Sequence, residues 1–199
     1  MLTQDLIIKN VNLENKIYVA YSGGPDSTAL LHLLAEMRIN HQLKVKAIHV
    51  NHNLSKESKA WESHCKKICS ILNIDLTIES VQIISDGGGI ESASRKARYK
   101  IFENLLESGD QILLAHHSDD VAETIFMRLL RGTGVDGLEG PKFTRKIGKG
   151  RLIRPLLKIT KKEILNYLTE NNIQYIEDDS NINNEFDRNY LRNKIFPML

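Results

Sequence analysis

Cysteine is nearly missing from this chain, and so is any long apolar run. Cys65 and Cys69 are the two cysteines among 199 residues, too few for the disulfide framework that holds many small secreted domains together. Their spacing is not that of a Cys-x-x-Cys redox or metal pair. Four apart on a predicted helix, they share a face and are expected to pack, as free cysteines usually do. No apolar stretch approaches the roughly 20 residues needed to cross a bilayer. The opening MLTQDLIIKNVNL lacks the basic start, apolar core and cleavage site of a secretory signal. A cytoplasmic protein without membrane engagement is therefore expected. An excess of one charge is lacking too: 27 Lys and Arg against 25 Asp and Glu leave a formal net charge of +2. Overall charge thus argues for no particular partner, and charge distribution matters more. Internal repeats and low-complexity segments are absent. What remains is an ordinary globular composition, 41% hydrophobic and 26% charged, sized for one domain or one domain with a short appendage.

Short β-branched runs alternate with longer segments of helical period. Ile17–Tyr21, Val45–Val50, Asp75–Glu79 and Gln111–Ala115 read as strands, with a fifth over Leu152–Ile153 ending at Pro155. Helices are predicted over Asp26–Met37, from a cap at Ser55 to about Leu72, over Glu91–Glu107, and from Asp119 or Asp120 to Arg131. A Thr160/Glu163 capping box opens one more, reaching about Glu170. From Gly132, GTGVDGLEGP breaks the pattern as a glycine-rich loop. This alternation predicts an α/β fold: a Rossmann-like, doubly wound parallel sheet of about five strands with helices on both faces. In such sheets ligands sit beyond the carboxyl ends of the strands. Three candidate motifs directly follow strands one, two and four.

After strand one comes Ser22-Gly23-Gly24-Pro25-Asp26-Ser27. Two glycines let backbone N–H groups turn inward, Pro25 suits the first helical position, and the helix N-terminus adds partial positive charge. Together they form a nest for phosphate. No Gly-Lys-Ser/Thr follows, so it is not a Walker A loop, and it is not Gly-x-Gly-x-x-Gly. A strand-to-helix turn with Asp26 complementing the dipole is the plainer reading, but it needs fewer of these residues. The pattern resembles the pyrophosphate loop of the ATP pyrophosphatase superfamily, whose fold is adenine nucleotide alpha hydrolase-like. That resemblance implies ATP as cofactor, cleavage between its α and β phosphates, and transfer of AMP to a substrate oxygen. It also implies nucleotide contact at the end of strand two, at His49 and Asn51, although a core or surface role for His49 is equally compatible.

Strand four runs into His116-His117-Ser118-Asp119-Asp120-Val121-Ala122-Glu123-Thr124, with LLRGTGVDGLEG soon after. Asp120 with Glu123 would make an acceptable capping box, and Asp119 an alternative cap, yet a cap needs neither the histidines nor a second carboxylate. The whole run closely resembles the signature of the tRNA(Ile)-lysidine synthetase family. IRPLL at 153–157, EDDSN at 177–181 and the final FDRNYLRNKIFPML resemble it as well, so the likeness extends from about Ile17 to the last residue. It implies a carbon–nitrogen ligase acting on tRNA(Ile) with a CAU anticodon and on free L-lysine. Asp120 and Glu123 are then assigned to lysine and catalysis, His116 to the activated nucleotide, and Asp26 to catalysis and Mg²⁺. Carboxylates here can hold Mg²⁺ on the triphosphate, and a carboxylate or His116 can take the proton that a lysine amine of pKa about 10.4 must lose. His117 is expected to pack. Arg95 and Arg98 share a helical face. A solvated face is one reading. The other is bidentate contact with phosphate or the lysine carboxylate, for which the family-like position is Arg98.

Between Lys142 and Lys162 nine cations occur with no acid among them, including Lys142, Arg145, Lys146, Lys149, Arg151, Arg154 and Lys161. Such a run predicts a track for the tRNA backbone, centred on Lys142, Arg145, Lys146, Lys149 and Arg151. The nucleotide-binding core is expected over about 16–140 and the basic extension and tail over about 141–199 of one catalytic domain. The abrupt apolar ending suggests that C-terminal tRNA-binding domains are missing. A monomer and a homodimer are both compatible with the sequence. Two rivals stay open at this point. A tRNA thiolase of the same superfamily needs a reactive cysteine, and a non-catalytic nucleotide-binding module has no need of Asp120 and Glu123.

Overall fold

A computed structural model describes residues 2–54, 57–83, 89–134, 138–177 and 187–198. Six strands form one sheet in the order β3-β2-β1-β4-β6-β5: β1 Ile17–Ala20, β2 Val45–Asn51, β3 Asp75–Ser80, β4 Gln111–Leu113, β5 Thr144–Ile147 and β6 Gly150–Ile153. The first five in that order are mutually parallel, with Ile17 opposite both Val45 and Gln111, and Gln111 opposite Arg151. The helices are α1 Gln4–Ile8, α2 Pro25–His41, α3 Ser58–Ile71, α4 Ile90–Leu105, α5 Ser118–Leu130, α6 Lys161–Glu170 and α7 Asp187–Tyr190.

Side chains alternate across the sheet, as a period of two requires. Ile17 and Val19 enter one core with Leu30, Leu34, Cys65, Cys69, Ile164 and Leu168, that is, with α2, α3 and α6. Tyr18 enters the other, with Phe102, Leu106, Ile112 and Leu152 against α4. Both faces are covered at the central strand β1, which reads as a continuous apolar run. Cys65 and Cys69 are buried as expected, and burial pushes both thiols up to about 12.

The fifth predicted strand is present as β6, but it is one arm of a hairpin whose other arm, β5, was not expected. β5 runs antiparallel to β6, placing Thr144 opposite Ile153 and Lys146 opposite Arg151. Thr144, Arg145 and Lys146 are exposed and only Ile147 is buried, so β5 lacks the apolar pattern that marks a strand. Gly148 makes the turn at φ +53°, and a Cβ there would lie 2.6 Å from the Glu103 carbonyl oxygen. The Thr160/Glu163 box is present, with Thr160 Oγ1 accepting from the Glu163 N–H. The Asp120/Glu123 box is not: α5 begins at Ser118 after His117, and the Asp120 carboxylate accepts from the His117 N–H at 3.0 Å. Asp120 therefore takes the third helical position of such a box, not the cap. Glu57 stands at the cap position of α3, while the predicted cap Ser55 lies outside the described residues, as do Val135–Gly137 and the segment from 178 to 186.

Candidate active site

Two loops leave the carboxyl ends of the adjacent strands β1 and β4, where the strand order reverses direction along the chain. The first ties itself together. Ser22 N–H donates to Ser27 Oγ at 3.2 Å, the two serine hydroxyls lie 3.1 Å apart, and Ser27 Oγ–H donates to the Gly24 carbonyl. Gly23 adopts φ +87°, the left-handed region that glycine enters without a Cβ clash. Its carbonyl accepts from Thr28 Oγ1 and from the Ile176 N–H. Gly24 is the N-cap of α2, and Pro25 is its first residue, the position expected for it. Asp26 stands in the first turn with its carboxylate partly exposed.

The second loop carries the charged groups. His117 is buried, as expected, but it is also a junction. Its Nε2 lies 3.7 Å from Asp26 Oδ1 and 3.6 Å from Asp120 Oδ2, and its Nδ1 lies 3.4 Å from Asp119 Oδ2. One imidazole thus brings together carboxylates from both loops. Glu123, fully buried, is the one buried residue recorded for α5. It accepts a bidentate bond from Arg192, Nε to Oε1 at 2.6 Å and Nη2 to Oε2 at 3.0 Å. Arg192 also lies 3.9 Å from Asp120. Burial would lower the Arg192 pKa, but the bond to Glu123 and the charges of Glu123, Asp120 and Asp26 outweigh it and raise it.

Lys161, the first residue of α6, closes the gap between the loops. Its Nζ donates to Asp26 Oδ1 at 2.5 Å, and its backbone N–H donates to Asp119 Oδ2 at 2.7 Å. Beside this cluster a cavity of about 500 Å³ is lined by His116, Asp120, Arg95, Arg145 and Arg154, among others.

Other sequence-based expectations fall differently. His49 is buried under the first loop, its Nδ1 2.9 Å from the Tyr21 carbonyl oxygen and 3.6 Å from Cys65 Sγ, so its side chain belongs to the core. Asn51 is buried as well; it accepts from the Asn53 N–H and donates to Glu62. Of the helical arginine pair, Arg95 and not Arg98 lines the cavity; Arg98 Nε is buried without a hydrogen-bond partner. Lys142, Arg145, Lys146, Lys149 and Arg151 are exposed on and beside the β5–β6 hairpin. Two members of the basic run are not part of that surface. Arg154 is 3% exposed, and Lys161 turns to Asp26. A lone arginine inside the apolar run Leu152–Leu157 was a legible sign of burial with partners. Nothing nearby in sequence links Arg192 to Glu123.

Asp26 suits Mg²⁺, which commonly takes one or two protein carboxylates and completes its shell with water and substrate phosphate. Among the described residues no group of three or more His, Cys, Asp or Glu side chains could hold a metal unaided, and no helix is long and apolar enough to cross a membrane.

A glycine-serine loop at a helix N-terminus, set where the strand order reverses, marks an ATP-using class. The chain belongs to the PP-loop domain family, whose profile matches residues 3–199. Within it, the chain is 41% identical to the tRNA(Ile)-lysidine synthase of Coxiella burnetii over 96% of its own length and 43% of that protein. It is 45% identical to the synthase of that name from Pseudomonas aeruginosa, over 91% of this chain and 41% of that protein. The chain therefore spans less than half the length of these curated relatives. Among solved structures, a U34-tRNA thiolase from Methanococcus maripaludis superposes with a TM-score of 0.67 at 21% identity, covering 87% of this chain and 63% of that one. An NMN synthetase from Francisella tularensis gives 0.52 at 14%, covering 80% and 63%. At such identities these two likenesses concern the fold alone.

Proposed function

We propose that this chain is the catalytic domain of an enzyme that ligates L-lysine to C2 of the wobble cytidine of tRNA(Ile) with a CAU anticodon, at the expense of ATP. The observation that carries the reading is the meeting of Asp26 and Asp120 around His117 at the ends of β1 and β4, in a chain over 40% identical to tRNA(Ile)-lysidine synthases. The cytidine O2 attacks the α-phosphate of ATP in line, and pyrophosphate leaves towards the amides of Ser22–Ser27. The oxygen now carries AMP, a good leaving group. The lysine ε-amine, having given up a proton, attacks C2 and AMP departs. Mg²⁺ held at Asp26 would neutralise phosphate charge.

The chain's own residues divide the work. Lys161 and the α2 N-terminus set positive charge beside the phosphates. The Asp120 carboxylate receives the ammonium of lysine, and Glu123 acts through Arg192, which it holds in place. The exposed hairpin cations Arg145, Lys146, Lys149 and Arg151, with Lys142, hold the tRNA backbone without reading its sequence. An anticodon loop presents bases already able to unstack into the cavity. A thiolase reading finds no support in Cys65 and Cys69, since both thiols are buried and pushed up to about 12, where little thiolate forms. Mass analysis of tRNA nucleosides after incubation with ATP and lysine decides the matter. Lysidine should appear only when both are present, and a thiolated or unchanged cytidine would overturn the proposal.

A further inference from the structure

Arg154 directly follows β6; the residue is 3% exposed and its guanidinium is bonded on all three nitrogens. Nη1 donates to the Lys142 carbonyl at 2.6 Å, Nη2 to Tyr99 Oη at 3.2 Å, and Nε to His116 Nδ1 at 3.0 Å. Burial pushes the Tyr99 hydroxyl up, but the charges of Arg95 and Arg154 and hydrogen bonds from Arg154 and Arg145 outweigh it and leave it below its ordinary value. The fork is fixed in a plane by three acceptors from three parts of the chain.

A guanidinium keeps its protons at any pH a protein meets, and it has no acceptor site. The hydrogen in the Arg154–His116 bond therefore belongs to arginine, and the imidazole must offer a lone pair at Nδ1. An imidazolium has no such lone pair, and neither has the tautomer protonated at Nδ1. Only the neutral ring with its hydrogen on Nε2 satisfies the contact.

We infer that Arg154 is a positioning residue that locks His116 as an Nε2–H donor, so that His116 stabilises an oxygen of the reacting nucleotide and takes no proton from lysine. The inference rests on the proposed lysine ligation for the identity of that oxygen, either the cytidine O2 or one on the α-phosphate, where negative charge shifts as AMP is transferred and released. His116 lines the cavity, and with Nδ1 accepting from Arg154 its ring can donate only from Nε2. The proton of the attacking amine then passes to a carboxylate.

Two measurements test this. Long-range proton–nitrogen NMR spectra of the ¹⁵N-histidine-labelled protein should show His116 as the Nε2–H tautomer, unchanged from about pH 6 to 8. In Arg154→Met the same ring should become a mixture that titrates in that range. A wild-type ring protonated at Nδ1, or titrating as imidazolium, overturns the inference, and this readout needs no catalysis. In lysidine formation, His116→Gln places an amide N–H near Nε2 and should keep activity within about tenfold, whereas His116→Ala should lose about 10²–10³-fold. A glutamine variant as inactive as the alanine variant also overturns the donor role. If the wild-type protein makes no lysidine, the proposed function fails while the tautomer result stands by itself.

Discussion

The two loops of the cleft are built on opposite plans. Ser22–Ser27 is shaped by residues within six positions of one another: two hydroxyls, two glycines and a helix N-terminus. His116–Glu123 is shaped from outside. Arg154 holds His116, Lys161 holds Asp119 and reaches across to Asp26, and Arg192 holds Glu123. A backbone nest can be specified locally because amides are present at every residue and need only the right dihedral angles. A carboxylate inside a protein needs an opposite charge or a hydrogen-bond donor at a fixed point, and here Lys161 and Arg192, both from later segments, supply them to Asp26, Asp119 and Glu123. Damage to the first loop should therefore stay local, while damage to the second should spread.

Arg192→Met should show the largest spread. It leaves the fully buried Glu123 carboxylate unpaired, a change that costs about 3–5 kcal/mol when the pair is wholly buried. Arg192 is itself 39% exposed, so solvent screening should hold the loss near or below the lower figure. Urea unfolding would show it, and a loss under about 1 kcal/mol would mean that the pair does not organise the loop. Asp120→Asn separates charge from scaffold. An amide oxygen can still accept from the His117 N–H, so the melting temperature should hardly move, while lysine-dependent AMP release should fall by about 10²-fold or more. Near-full activity in the stable variant would remove Asp120 from the chemistry. Gly23→Ala should cost about 1–3 kcal/mol from strain at φ +87° and from a Cβ 3.1 Å from both Cys65 Sγ and Ile176 Cδ1. Thermal melts should register it, and an unchanged midpoint would show that the loop relaxes freely. Reversing the charges of Lys146 and Lys149 should leave stability within about 0.5 kcal/mol. The KM for tRNA should rise and its salt dependence flatten. An unaltered salt slope would exclude the hairpin from the interface.

The same contrast explains what could be read before the fold was known. The hexapeptide carries its own geometry, so Gly24 at the cap, Pro25 at the first helical turn and a β1–α2 junction all follow from adjacent residues. The core strands were legible because Ile17–Ala20 is apolar throughout and Val45–Val50 is a short run rich in β-branched residues. Strand β5 was not, because three of its four residues face solvent and its pairing is decided by β6. His116, Asp120 and Glu123 stood out as chemistry, but their partners did not. Arg154 and Lys161 sat in a run of cations that composition alone could not divide into surface and interior. His49 ended a strand at the right place, yet the Tyr21 carbonyl and Cys65 hold its ring inside.

The Ile176 amide that bonds the Gly23 carbonyl has a bearing on timing. On the ribosome, β1, β2, β3 and β4 all emerge before Lys161, Ile176 and Arg192, and they can pair while the cleft is still missing its cations. A nascent chain that has reached only α5 has a sheet and a glycine loop, but it carries Asp26, Asp119, Asp120 and Glu123 close together without counter-charge. Repulsion among them should keep that end of the sheet loose until α6 arrives. Competence to bind nucleotide would then switch on only once Lys161 and Arg192 have both emerged.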